Sequence, residues 1–220
     1  MNTVTSNPEE PYVLRAVRDG IATLTLNRGG QFNALSQAMI NALQHELDAI
    51  ARDATIRVVV LAGAGKAFCA GHDLKEMRAN HEKAFLQDLF RRCGRMMMAL
   101  TEMPQPVIAR VHGIATAAGC QLVSMCDLAV AVESARFATS GINVGLFCAT
   151  PAVGLARNLG RKQALEMLLT GDFMDARSAL QQGLVNRVVA ADALDAEVER
   201  LARSIVAKSS VAIGMGKQMF

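Results

Sequence analysis

The 220-residue chain is 51% hydrophobic and 20% charged, the balance of one folded domain of ordinary size rather than of a disordered or fibrous protein. Its formal charge of +3 is mild and its Lys and Arg residues are scattered, so nothing in it calls for nucleic acid; no apolar run reaches the length of a membrane span. With no Trp and one Tyr, the core must be filled by Ala, Val, Leu and Met.

Residues 1–11 are polar and carry two prolines, which predicts a flexible N-terminus without the basic start and apolar stretch of a secretory leader. Tyr12 to Val17 and Ile21 to Leu26 alternate apolar and polar side chains around Asp19-Gly20, which predicts a β-hairpin. Ser36 can cap a helix whose Met39, Ile40, Leu43, Leu47 and Ile50 recur at helical spacing, and Ile56 to Ala62 reads as a strand buried on both faces. A second long helix is expected from about Glu82 to Glu102, stopped by Pro104 and Pro106, and it feeds a strand at Val107 to Val111. A small-residue loop and helix (Gly113 to Met125), a strand (Leu128 to Val132), an extended piece (Arg136 to Thr139) and then mostly helix complete the pattern. The last helical stretch, from Ser209, carries no stop signal at Phe220, so the chain reads as incomplete there.

Five cysteines without CxxC or Cys/His spacing predict free thiols, no metal site and a reducing cytoplasmic setting. The chemistry concentrates at two strand-to-helix junctions, Gly63 to Met77 and His112 to Gln121, both rich in Gly and Ala. Each alone reads as a tight turn. Together they place two sets of free N–H groups at the carboxyl ends of neighbouring strands, where a ligand oxygen could meet both.

Several ordered motifs make the resemblance specific. Ala67-Phe68-Cys69-Ala70-Gly71-His72-Asp73-Leu74-Lys75-Glu76-Met77, Asn27-Arg28 with Asn33-Ala34-Leu35, and Pro106 to Gly113 resemble the signatures of the crotonase superfamily, the enoyl-CoA hydratase/isomerase family; Cys126-Asp127, Phe137-Ala138 and Leu168 to Gly171 keep its order. The resemblance spans the chain from Tyr12 onward. It implies an α/β crotonase (ClpP/crotonase-like) fold of repeated β-β-α units, with a core at 12–190 and the start of a helical, oligomer-forming region at 191–220. It further implies a homotrimer or hexamer, and an acyl-CoA ligand with no separate cofactor. The backbone N–H groups of His72 and Ala118 would form an oxyanion hole, and Ala70, Gly71, Asp73, Leu74, Gly119 and Cys148 would contact the ligand.

The sequence departs from the family where its hydratases carry two glutamates: Gln121 and Gly141 stand there. Neither can move a proton near neutral pH, and each positioned acid or base is typically worth about 10²–10⁴ in rate, so hydration is expected to be weak or absent. No Asp or Glu lies between Phe137 and Leu159 to substitute. Asp127 and Glu133 bound a strand and should face away, and Asp73 and Glu76 suit a helix start. Three lesser readings stay open: a His72 ring facing solvent or the CoA moiety, a Cys148 nucleophile, and a water held by Gln121. A branch of the family carries the same Gln and Gly replacements. The alternatives to an enzyme of altered chemistry are a non-catalytic acyl-CoA-binding protein and a thioester hydrolase.

Overall fold

In the computed structural model, which describes residues 10–220, the chain starts with the expected hairpin. Strands β1 (Val13–Arg18) and β2 (Ile21–Leu26) pair antiparallel, with Val13 opposite Leu26, across Asp19 and Gly20 at φ 52° and 78°. Those two positive φ values are what a tight primed turn requires, and Asp-Gly accepts them at low cost. Residues 1–9 of the segment expected to be flexible lie outside the described residues. Glu10 and Pro11 are tied down: their carbonyls accept hydrogen bonds from the buried Arg28 guanidinium, which also stacks 3.8 Å over the Tyr12 ring.

Helix α1 (Gln37–Ala51) begins where Ser36 Oγ accepts from Met39 N, and it buries the five apolar residues expected of its stripe. Strand β3 (Val58–Gly63) then pairs parallel with β2. From here the chain repeats one device. Each unit lays a strand in a first sheet, crosses to a short strand in a second sheet, and returns through a helix. β3 leads to β4 (Ala67–Cys69), then α2 (Leu74–Ala79) and α3 (Lys83–Glu102). β5 (Val107–Val111) leads to β6 (Ile114–Thr116) and α4 (Ala118–Met125). β7 (Leu128–Val132) leads to β8 (Arg136–Ala138), α5 (Ala149–Asn158) and α6 (Arg161–Thr170). Strand β9 (Met174–Asp175), α7 (Ala176–Gln182), β10 (Arg187–Val189), α8 (Leu194–Val206) and α9 (Ser210–Met219) follow.

The first sheet therefore runs β1-β2-β3-β5-β7-β10, parallel apart from β1, and the second runs β4-β6-β8-β9, parallel apart from β9. This is the repeated β-β-α architecture that the motifs implied. Two regions expected as loop, at 67–69 and 114–116, are strands of the second sheet, and β9 and β10 interrupt the helical end. Three-residue strands of small side chains are too short to show an alternation, so their sequence reads as turn. The core lies between the sheets and α1, α3 and α4, with Phe68, Phe137, Leu24, Leu61 and Leu89 fully enclosed.

Helix α8 lays Leu194, Val198 and Ala202 on the far face of the first sheet, and α9 reaches back across α3. Lys217 on α9 places its Nζ 2.7 Å from Asp127 Oδ2, 2.8 Å from the Leu100 carbonyl and 3.0 Å from the Gln105 carbonyl. Asp127 thus faces away from the strand-end junctions, as its place before β7 predicted, and its carboxylate also accepts from Val107 N. No helix among the described residues is long and apolar enough to cross a membrane.

Candidate active site

The two junctions are built into one another by backbone packing. Asn33, fully buried, donates from Nδ2 to the carbonyls of Ala64 (2.8 Å), Ala67 (2.9 Å) and Phe68 (3.1 Å), and its Oδ1 accepts from Arg28 N. One amide thus holds the first junction in shape, which is the structural reason for the Asn-Arg and Asn-Ala-Leu motifs. Downstream, Leu35 bridges His72 in parallel fashion: Leu35 N donates to Gly71 O, and Asp73 N donates to Leu35 O. A parallel bridge engages the residues on either side of its partner, so the N–H of His72 itself points away from Leu35.

On that side, Ala117 adopts φ 49°, ψ −121°, a conformation that a residue with a Cβ rarely takes. Its own N–H remains in the second sheet, donating to Ala138 O, while the reversal after it swings Ala118 N–H out of the ladder at the first residue of α4. Ala118 N is one of the amides a helix start leaves without an intrahelical acceptor. The junctions touch at this point: a Cβ on Gly71, whose φ is 87°, would lie 3.0 Å from Ala118 N and 2.9 Å from Ala117 Cβ. Gly71 has to be glycine for both reasons.

In front of these amides opens a cavity of about 350 Å³. Leu74, Met77, Phe90, Val144, Leu146 and Phe147 give it an apolar wall, and Ala70, His72, Ala117, Ala118, Ser140, Gly141 and Cys148 complete its inner end. A hollow of about 420 Å³ between the first sheet and α8 is larger, but its charges pair among themselves, Arg18 with Glu199, Arg203 with Asp19 and Arg110 with Asp195.

The expected site residues divide on inspection. Ala70, His72, Leu74, Ala118, Gly141 and Cys148 line the cavity, whereas Gly71, Asp73, Gly119 and Gln121 do not. Asp73 caps α2, its Oδ1 accepting from Lys75 N and Glu76 N, and Glu76 reaches across to accept from Gln37 N at the start of α1. Gly119 is pressed on the backbone of β4. Gln121 lies in the body of α4, 5% exposed, with Oε1 buried and unpartnered among the described residues. Ser140 donates to Thr116 Oγ1 at 3.5 Å, and Thr116 donates in turn to the Ala70 carbonyl.

The His72 ring is largely enclosed rather than free in solvent. It stands edge-on to Phe90 at 5.0 Å, Nε2 is buried, and burial pulls its pKa down to about 4, so the imidazole is neutral at physiological pH. Sequence reasoning missed this because the covering ring comes from α3. Burial likewise pushes the Cys148 thiol up, and a protonated thiol is a poor nucleophile. The other four cysteines are free and buried. No group of three or more His, Cys, Asp or Glu is placed to hold a metal among the described residues.

The neutral ring has a measurable consequence. Because the folded pKa lies below the unfolded value near 6.5, the unfolded chain binds more protons between pH 6.5 and 4, and stability falls as pH drops through that window. We expect a loss on the order of 2 kcal/mol from His72 across it, after discounting for the ring's residual solvent contact. His112, whose pKa burial also lowers, adds in the same sense. Denaturant midpoints of His72→Leu should show a shallower pH slope than those of the parent chain; an unchanged slope would count against the buried, neutral ring.

A family model for enoyl-CoA hydratase/isomerase matches residues 16–220, and the chain belongs to that family. Within it, the chain is similar to enoyl-CoA hydratase domain-containing protein 3, mitochondrial, from Xenopus laevis, at 44% identity over 210 residues, 96% of this chain and 71% of the relative. The human protein of that name is 44% identical over 202 residues, covering 92% and 67%. The crystal structure of the human domain-containing protein 3 matches with a TM-score of 0.91 at 42% identity, over 94% of this chain and 81% of that one. A Mycobacterium smegmatis enoyl-CoA hydratase structure matches with a TM-score of 0.94 at 59% identity, over 96% and 82%. The crotonase resemblance and the domain-containing protein 3 branch are thereby established. The cytoplasmic placement expected from the sequence is overturned, since these frog and human relatives are named mitochondrial. Free buried thiols report a packed core and carry no address, which is why they misled.

Proposed function

We propose that this protein binds an acyl-CoA thioester and polarises its carbonyl between the backbone N–H groups of His72 and Ala118, with hydration weak or absent. The observation that carries this is the turn at Ala117, whose reversal frees Ala118 N–H directly against Gly71 and next to His72. Two preorganised amides in an apolar cavity stabilise charge on a thioester oxygen, and one such donor is typically worth about 10²–10³ in rate. His72 is the only group in the cavity wall with an ordinary pKa near neutrality, and its ring is neutral and packed on Phe90. Proton transfer to or from Cα and Cβ therefore lacks a carboxylate. That wall also favours the second reading, a protein that binds acyl-CoA without turnover, while the burial of Gln121 disfavours a water held there for hydrolysis. The exposed Val211, Met215 and Met219 on α9 support assembly of several copies through the C-terminal helices.

The test follows enoyl absorbance and free CoA thiol on mixing the protein with crotonyl-CoA, alongside calorimetry. We expect tight thioester binding with hydration slower than that of a two-glutamate enzyme by about 10²-fold or more. Hydration at an ordinary rate would sink the reading of Gln121 and Gly141, and absence of any CoA-thioester binding would sink the site itself.

A further inference from the structure

Gly141 is more than a missing side chain. It sits in a 3₁₀ turn, Ser140–Val144, that closes on itself through Leu146 N donating to Gly141 O. A Cβ built at residue 141 would lie 2.7 Å from Cys148 Sγ and 2.6 Å from the Leu146 carbonyl oxygen. The first contact is with sulfur that fills the space a larger residue 141 would use, and the second is with backbone that cannot swing aside. The Gly141 N–H faces that sulfur. The inner wall beside Ala118 thus presents a thiol, a weak acceptor, and Leu146 and Phe147 continue it as hydrocarbon. Of the hydroxyls on the cavity wall, Ser140 donates its proton to Thr116, and Thr150 sits in the first turn of α5.

We infer that Cys148, seated in the space of a residue-141 side chain, is a specificity-determining residue that makes the cavity select acyl groups that are hydrocarbon next to the thioester and discriminate against 3-hydroxyacyl groups. The inference rests on the thioester reading above. A hydroxyl entering this wall would give up water for a sulfur partner, a loss that apolar pockets typically convert into about 10- to 100-fold in affinity. Removing the sulfur would free the Gly141 N–H and admit water, giving the hydroxyl a partner.

Calorimetric titration of the full chain and of Cys148→Ala and Cys148→Ser with CoA, butyryl-CoA and 3-hydroxybutyryl-CoA tests this. The parent chain should prefer butyryl-CoA by about tenfold or more, and Cys148→Ala should cut that ratio by at least about threefold, with Cys148→Ser between the two. Equal affinities in the parent, or an unchanged ratio in both variants, would overturn the assignment of Cys148. Thioesters binding no more tightly than CoA itself would instead overturn the thioester site, and this proposal with it.

Discussion

Gly119→Ala should unfold the protein well below the parent's melting temperature. A Cβ at residue 119 would lie 2.7 Å from the Cys69 carbonyl carbon and 2.9 Å from Cys69 Cβ, and still closer to the carbonyl oxygen. Both partners are fixed: Cys69 belongs to β4, and residue 119 is the second residue of α4, directly after Ala118. Overpacking in a core typically costs about 1–3 kcal/mol when side chains can yield, and here the obstacle is main chain, so about 3 kcal/mol or more is expected. For a chain of this length that is a fall of about 6–12 °C. If the cavity takes the proposed thioester, any folded fraction should also bind it poorly, because a displaced α4 carries Ala118 N with it. Calorimetric melting of the variant beside Gly94→Ala, a glycine with nothing within 4 Å of its Cβ position, separates a specific clash from loss of any glycine. Equal melting temperatures would refute the close approach.

The second large effect concerns the C-terminal latch. Asp127→Ala removes the carboxylate from Lys217, whose side chain is only 9% exposed, and takes the acceptor from Val107 N at the start of β5. Losing one partner of a buried ion pair typically costs about 3–5 kcal/mol; the two carbonyls that keep contact with the ammonium, and the partial exposure of Asp127, bring the expectation to about 2–3. Lys217→Met keeps the apolar stem and leaves Asp127 bonded to Val107, so it should cost about 1 kcal/mol. Urea midpoints of the two variants check the asymmetry. If Lys217→Met proves the worse, the latch is held by the lysine's carbonyl contacts rather than by the ion pair.

Local punctuation made much of the fold legible in the sequence. Asp19-Gly20 marked the hairpin, Ser36 marked the start of α1, and Pro104 and Pro106 marked the end of α3, because each residue acts on the backbone within a few positions of itself. The second sheet escaped because β4, β6 and β8 are three residues long, and their pairing comes from being stacked beside one another rather than from any pattern within each. The candidate site divides in the same way. The two junctions were visible as small-residue clusters after buried strands. Asp73 was expected to contact the ligand, although its place directly before a helix also suits the cap that it forms. The neutral state of His72 and the sulfur packed against Gly141 were not readable, since one depends on Phe90 of α3 and the other on how the turn at 140–148 folds back.

The order of strands in the first sheet bears on how the chain emerges from the ribosome. β7 is complete by residue 132, yet its outer neighbour β10 is not made until residues 187–189, and the helix that covers β3, β5 and β7 comes later still. For some fifty residues of synthesis, the free edge of an apolar strand waits for a partner. Parallel pairings across such separations form slowly, and an open edge of this kind templates association with other chains. Nascent chains arrested before residue 187 should therefore depend on chaperones far more than the finished protein does.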